Sequence, residues 1–95
     1  MPLFVITAQD KPAGLDMRMA HRAEHLAYIS AQSGVVKVAG PFLDANGDME
    51  GSLLIVETAD LAAAQAFAAA DPFAKAGLFV SCTVRPWRTT VGGFA

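Results

Sequence analysis

The sequence predicts an α+β fold with one antiparallel sheet and two helices, on the evidence of three observations. Short β-branched and aromatic runs occur at residues 3–8, 35–39, 52–56 and 78–84. Segments of helical character lie between them at residues 15–33 and 61–70. The resulting order, βαββαβ, predicts a ferredoxin-like sandwich, which is a four-stranded antiparallel sheet with two helices on one face.

The length of the chain bounds its organisation. Its 95 residues are enough for one hydrophobic core, and no repeat or linker divides them. We therefore expect a single domain over residues 1–95, with a core at about 3–88 and a loose tail at 89–95.

The first strand and first helix are separated by a short polar segment. Residues 3–8 run into Gln9-Asp10-Lys11-Pro12, which indicates a loop. In residues 15–33 the apolar side chains recur at helical spacing, and they are Leu15, Met19, Leu26 and Ile29. Gly34 supplies the expected end of this helix.

The second and third strands are predicted to form a hairpin. Residues 35–39 and 52–56 flank the segment 44–48, in which Asn46-Gly47 can adopt the positive φ angles of a tight turn. These strands should pair in antiparallel fashion.

The second helix and the last strand complete the order. Asp60 is a suitable N-cap for the alanine-rich residues 61–70, which end before Pro72. In residues 78–84 polar and apolar side chains alternate, and we expect Arg85-Pro86-Trp87 to end the strand.

One face of this sheet needs a further cover. The first and third strands are central in the predicted topology, and their apolar runs do not alternate, as expected for strands buried on both faces. Two helices cover only one face. With 54% hydrophobic residues in the chain, we expect a second copy to pack on the other face and enclose a pocket.

The charge and the termini exclude several partners. Seven basic and nine acidic residues give a formal charge of −2, and no basic run is present, which argues against nucleic acid. No secretory leader and no membrane-spanning run is evident. We expect a soluble cytoplasmic protein whose single cysteine, Cys82, is a small buried hydrophobe.

Three polar residues are candidates for chemistry. Helical projection places Arg22 within the apolar stripe of the first helix and His25 on its flank. Asp71 extends the Ala64 and Phe67 face of the second helix at its C-terminal end, where desolvation and the helix dipole oppose an anion. It therefore needs Arg22 or His25 as partner. Patterning alone favours a structural Arg22–Asp71 pair and leaves a catalytic His25–Asp71 pair as the alternative.

A zinc motif competes with this interpretation. His21, Glu24 and His25 match H-x-x-E-H, but Glu24 projects away from the apolar stripe and no third ligand is evident, so we expect no metal site. Cys82 and the serines lack the context of a nucleophile, and no phosphate-binding loop is present. The aromatic residues are expected to pack a core rather than line a cavity; they are Phe73, Phe79 and Trp87.

Taken together, the ordered segments resemble the YCII-related (YciI-like) family. The matching segments are Val5-Ile6-Thr7-Ala8-Gln9-Asp10-Lys11, Arg22-x-x-His25-Leu26, Ala39-Gly40-Pro41, Gly51-Ser52, Leu61-x-x-Ala64-Gln65-Ala66, Ala70-Asp71-Pro72-Phe73, Ala76-Gly77 and Val84-x-Pro86-Trp87. The resemblance implies a dimeric α+β barrel and a His–Asp pair, which falls here on His25 and Asp71.

Two hypotheses of function follow. In the first, the protein is a cofactor-independent lyase or isomerase acting on a small cyclic or enolic substrate. His25 is its acid and base, Asp71 orients His25, and Arg22 binds an anionic or enolate oxygen. In the second, it is a non-catalytic ligand-binding or accessory module with a structural Arg–Asp pair.

Overall fold

Four strands form one antiparallel sheet in the order β2-β3-β1-β4 in the computed structural model, which describes residues 1–93. The strands are β1 (Leu3–Asp10), β2 (Val36–Leu43), β3 (Met49–Glu57) and β4 (Phe79–Trp87). The two central strands are β1 and β3, and both are antiparallel to their neighbours. The ferredoxin-like fold predicted from the sequence is confirmed.

Helices α1 (Leu15–Ala31), α2 (Leu61–Ala69) and α3 (Pro72–Lys75) complete the structure. The predicted N-cap of α2 is present, because the Asp60 carboxylate accepts the Ala63 N–H at 2.8 Å. The short α3 was not predicted. It begins at a proline, which the first helical position tolerates because no N–H is needed there.

The β2–β3 hairpin contains the predicted turn. Gly47 has φ +84°, and the Asp44 side chain accepts the N–H groups of Asn46 and Asp48 at 2.8 and 3.0 Å. The strands are longer than predicted, since β2 continues through Pro41. A proline lacks the N–H of the ladder, and β2 tolerates it because it is an edge strand.

Strand β4 also runs further than predicted. Arg85, Pro86 and Trp87 remain in the ladder, where Trp87 pairs with Leu3 and Pro86 with Phe4. The reason is again the position of the strand, because β4 forms the other edge. The prediction that Cys82 is buried was wrong. This residue lies on the same edge strand and is exposed.

The core lies between the sheet and the helices. Its buried members come from β1, β3 and α2, and they are Phe4, Ile6, Leu54, Val56, Ala64, Phe67 and Ala68. The opposite face of the sheet carries no helix and presents Val5, Leu53 and Ile55 beside one another. The same face also carries the polar side chains of Thr7, Thr83 and Arg85. In residues 1–93, no helix is long and apolar enough to cross a membrane.

The orientation of α1 differs from the predicted one. Met19 and Leu26 of the predicted apolar stripe are 53% and 44% exposed, whereas Arg18 and His25 are buried. Arg22, expected to point inward, is exposed. The helix is rotated because two buried carboxylates lie below it. Asp10 forms an ion pair with Arg18, and Asp71 is hydrogen-bonded to His25.

Candidate active site

His25 and Asp71 form a buried pair between α1 and the start of α3. The Nδ1 atom of His25 lies 2.8 Å from Oδ1 and 3.0 Å from Oδ2 of Asp71. The two residues are 8% and 3% exposed. The structure thus brings together two residues that are 46 positions apart in the sequence.

The backbone around Asp71 explains how a carboxylate is accommodated there. Asp71 does not lie at the end of α2, as the sequence predicted. It is the N-cap of α3, and its Oδ1 accepts the Phe73 N–H at 2.9 Å. The dipole argument against an anion at this position was wrong, because the break before Pro72 starts a new helix.

The hydrogen bonds assign the proton of the imidazole. A carboxylate only accepts hydrogen bonds, so Nδ1 of His25 must donate to Asp71. The other ring nitrogen, Nε2, has no hydrogen-bond partner within residues 1–93. Every side-chain nitrogen of these residues that is fully shielded from solvent has such a partner, so Nε2 is not fully shielded. Nε2 is therefore accessible, and in neutral His25 it is a base.

Phe73 forms the floor beneath the imidazole. Its ring stacks on that of His25, with centroids 4.1 Å apart and an angle of 16° between the planes. The guanidinium carbon of Arg18 lies 4.5 Å from the centroid of the same ring. Phe73 is fully buried, as expected for a core residue, but it also lines the cavity described below.

A second buried pair lies beside the first, and the sequence analysis missed it. Arg18 donates from Nε and Nη2 to the two carboxylate oxygens of Asp10, at 2.7 and 2.9 Å. Nη2 also donates to Oγ of Ser52 at 2.8 Å. The available signal was periodicity, because Asp10 follows Phe4, Ile6 and Ala8 on the inward face of β1.

These side chains line a cavity of about 390 Å³ between α1 and strands β2 and β3. Its polar residues are Arg18, Arg22, His25, Lys37 and Ser52. Its apolar residues include Leu26, Ile29, Val36, Val38, Pro41, Met49 and Phe73. A small organic ring with a few polar substituents fits a cavity of this size and lining.

Arg22 belongs to this cavity but not to an ion pair with Asp71. Its side chain is exposed on α1, and the partner of Asp71 is His25. The structural Arg22–Asp71 pair favoured by the sequence pattern is therefore wrong. The buried Arg–Asp pair of this fold is Arg18–Asp10, one helical turn earlier.

The two histidines of the H-x-x-E-H pattern have different partners in the structure. His21 lies 3.6 Å from the exposed carboxylate of Glu24, whereas His25 points inward to Asp71. In the part of the chain from 1 to 93, no three His, Cys, Asp or Glu side chains are grouped so as to hold a metal ion.

The charge of the buried carboxylate contributes to the pKa shifts of two further ionisable groups. Burial, and secondly the charge of Asp71, raise the pKa of the Tyr28 hydroxyl, which donates to the Phe67 carbonyl at 2.9 Å. The same two causes, in the same order, raise the pKa of the Cys82 thiol, although this residue is exposed overall.

The raised pKa of Cys82 predicts slow alkylation. At a given pH the native protein should contain less thiolate than the same chain unfolded in urea, so iodoacetamide should react more slowly with it. The pH midpoint of the rate should lie above that of the unfolded chain, and Asp71→Asn should move it downwards. A native midpoint at or below the unfolded one would contradict this.

The chain matches a known domain family over most of its length. The YCII-related domain covers residues 2–88. Protein YciI of Escherichia coli O6:H1 is 38% identical over 94 aligned residues, which cover 90% of this chain and 96% of the relative. An uncharacterized protein of Haemophilus influenzae is 33% identical over 93 aligned residues, covering 90% of this chain and 95% of that one.

Solved structures agree with this assignment. The 5-chloro-2-hydroxyhydroquinone dehydrochlorinase TftG of Burkholderia phenoliruptrix, in complex with 2,5-dihydroxybenzoquinone, is 38% identical with a TM-score of 0.87, covering 93% of this chain and 95% of that one. An antibiotic biosynthesis monooxygenase is 18% identical with a TM-score of 0.57, covering 96% of this chain and 100% of that one, and shares the fold alone. With a family match over residues 2–88 and these relatives, the chain belongs to the YCII-related family.

Proposed function

We propose that this protein is a small-molecule enzyme, a lyase or isomerase that moves protons on a cyclic or enolic substrate. The observation that carries the proposal is the accessible Nε2 of His25, whose Nδ1 is fixed by Asp71 at 2.8 Å. The similarity to a dehydrochlorinase at 38% identity supports a substrate of the hydroxylated-ring class.

The residues supply each part of such a reaction. Nε2 of His25 takes a proton from an acidic C–H or O–H bond, and the electron pair passes into the ring as an enolate. In an isomerase the imidazolium returns the proton to another atom. In a lyase a leaving group departs as an anion, and the imidazolium then releases its proton to solvent. Asp71 holds the tautomer and stabilises the imidazolium. These steps need no cofactor.

Arg22 has a supporting role in this proposal. Its exposed side chain on the cavity wall attracts an anionic substrate and contacts a developing oxyanion. Since water competes for an exposed guanidinium, we expect a modest effect from its removal.

The experiment is solvent deuterium incorporation, followed by NMR, into a panel of small hydroxyquinols, enols and lactones. A chlorinated hydroxyquinol is included, and chloride release is measured with it. The wild-type protein should exchange or convert at least one compound faster than buffer does. If compounds bind and none is exchanged or converted, the protein is a binding module.

A non-catalytic module is the second candidate, and the Arg18–Asp10 pair is the observation in its favour. That hypothesis includes a buried structural Arg–Asp pair. Arg18–Asp10 is such a pair, although it is not formed by the residues that were expected. Under this alternative, ligand binding survives His25→Ala and no proton moves. The deuterium experiment separates the two functions.

We also propose that the protein is a homodimer in the cytoplasm, formed through the helix-free face of the sheet. Support comes from the apolar Val5, Leu53 and Ile55 on that face. Light scattering should give twice the mass of the chain, and Leu53→Lys should halve it. Met19→Lys on the exposed side of α1 is the matched control, and a monomeric wild type at micromolar concentration would overturn the dimer.

A further inference from the structure

Tyr28 lies on the same side of α1 as His25, one turn later in the helix. Its ring stacks on that of Phe67 in α2, with centroids 5.0 Å apart and an angle of 29° between the planes. Its hydroxyl donates to the Phe67 carbonyl at 2.9 Å. Tyr28 thus joins α1 to α2 four residues before Asp71, and the contact of His25 with Asp71 joins α1 to the start of α3.

The Phe67 carbonyl is available to Tyr28 because α2 does not continue as an α-helix. In a continuous helix this carbonyl would accept the N–H of Asp71, four residues later. The Asp71 N–H instead donates to the Ala68 carbonyl at 3.3 Å, three residues back. The Phe67 carbonyl is therefore left without its helical donor, and the Tyr28 hydroxyl takes the place of that N–H.

The choice of donor is linked to the conformation of Asp71. With ψ 130°, its backbone has left the helical region, and Asp71 is the N-cap of α3. Its Oδ1 accepts the Phe73 N–H and lies 2.8 Å from Nδ1 of His25. If the Asp71 N–H were bonded to the Phe67 carbonyl, Asp71 would instead extend the C-terminal end of α2, where the helix dipole opposes its charge.

The Tyr28 hydroxyl remains a donor at neutral pH. Burial, and secondly the charge of Asp71, raise its pKa above the ordinary value of a phenol, so it stays protonated. Phe67 belongs to the hydrophobic core, and Tyr28 packs against that core. The hydrogen bond is thus partly buried, where water competes poorly for the carbonyl.

We infer that Tyr28 is a positioning residue for the His25–Asp71 dyad. Its hydroxyl occupies the Phe67 carbonyl in place of the Asp71 N–H, and it so holds Asp71 as the N-cap of α3 that meets His25. Tyr28 acts through Asp71 and is not among the residues that line the cavity. The use of the dyad in proton transfer rests on the proposed function, whereas the positioning of Asp71 does not.

The test is amide hydrogen exchange, measured by NMR in Tyr28→Phe. This variant keeps the ring that stacks on Phe67 and removes only the hydroxyl. The amide of Phe73 reports the conformation of the dyad, because Asp71 accepts its N–H. The amide of Val56, fully buried in the central strand β3, reports the stability of the whole domain. We expect the exchange rate of Phe73, divided by that of Val56, to increase about three- to tenfold, the equivalent of about one hydrogen bond.

Thr58→Val is the matched control. The Thr58 hydroxyl also donates to a backbone carbonyl beside α2, that of Asp60 at 2.9 Å, but at the other end of the helix. The ratio of the two exchange rates should stay within about twofold of the wild type in this variant, because the two ends of α2 are far apart. An unchanged ratio in folded Tyr28→Phe, or an equal increase in Thr58→Val, would overturn the inference.

A second measurement decides the question if circular dichroism finds Tyr28→Phe unfolded. Tyr28 is the single tyrosine of the chain, so biosynthetic incorporation of 3,5-difluorotyrosine changes this hydroxyl alone. Fluorine makes the phenol more acidic, and its ionisation, followed by ¹⁹F NMR, removes the donor while the ring stays. The ratio of the two exchange rates should increase as the hydroxyl ionises, and a constant ratio would overturn the inference.

Turnover separates this inference from the proposed function. In an active enzyme, Tyr28→Phe should lower kcat about three- to tenfold and leave KM within about twofold, because the cavity wall is unchanged. A protein that converts no compound but shows the increased exchange ratio loses the proposed enzyme and keeps the role of Tyr28. A protein that is active but has an unchanged ratio in Tyr28→Phe keeps the enzyme and loses the inference.

Discussion

Replacing His25 with alanine is expected to lower the rate of proton transfer by about 10²–10⁴-fold, the usual contribution of a positioned acid–base group. Nε2 of His25 is the accessible basic nitrogen beside Phe73 in the cavity. Its removal leaves the cavity and Arg18 in place. Substrate binding should therefore survive, and the loss should appear in kcat rather than in KM.

Asp71→Asn tests the His25–Asp71 dyad more specifically than His25→Ala does, because it keeps the imidazole. The amide oxygen of asparagine can still accept the Phe73 N–H, so the N-cap of α3 is kept. Its NH₂ group, however, donates to Nδ1 of His25 and moves the imidazole proton to Nε2. The base is then blocked by the wrong tautomer, and we expect a loss of similar size to that of His25→Ala.

The matched control is His21→Ala. His21 is on the same helix, contacts the exposed Glu24, and lies outside the His25–Asp71 pair. Deuterium exchange and chloride release should stay within about twofold of the wild type in this variant, the scatter we expect for a surface change. Retention of wild-type rates in both His25→Ala and Asp71→Asn would refute the dyad.

The second large effect is expected on stability, from Asp10→Ala. It leaves Arg18 buried without its partner, and breaking a buried ion pair in this way costs about 3–5 kcal/mol. A small domain is stable by only about 5–15 kcal/mol, so the urea midpoint should fall markedly. The measurement is urea unfolding followed by circular dichroism at one fixed protein concentration.

Asp16→Ala is the control for this prediction. Asp16 is an exposed carboxylate in the first turn of α1, where its interaction with the helix dipole is worth about 0.3–1 kcal/mol. The double variant Asp10→Ala with Arg18→Met should recover part of the lost stability, because no unpaired charge remains buried. Equal midpoints for Asp10→Ala and Asp16→Ala would show that the buried pair contributes little.

Local patterns in the sequence were sufficient for most of the fold. The turn at Asn46-Gly47, the cap at Asp60 and the order of elements depend on neighbouring residues, and all three were predicted. The edge positions of the strands in the sheet were not predicted. Whether Pro41 or Pro86 ends a strand depends on which strand lies beside it, and sequence alone does not say that both lie on edges.

The sequence identified three residues of the candidate site, missed its second buried pair and favoured one wrong pairing. His25 and Asp71 were identified as candidates, and the cavity also contains Arg22. The sequence favoured Arg22 as the partner of Asp71, because the Met19 and Leu26 stripe placed it inward. Consecutive residues on a helix are about 100° apart, so a modest rotation exchanges the buried face. The Arg18–Asp10 pair was missed for the same reason.

The sequence by itself therefore determined the four strands and two longer helices, their order, the family and the residue types available for chemistry. These features follow from periodicity and from turn and cap preferences, which act over a few residues. The tertiary structure alone decided that His25 rather than Arg22 meets Asp71, and that Arg18, Asp10 and Ser52 form one network. Those contacts join distant segments, and they depend on how α1 rotates to pair buried charges while its apolar stripe stays half exposed.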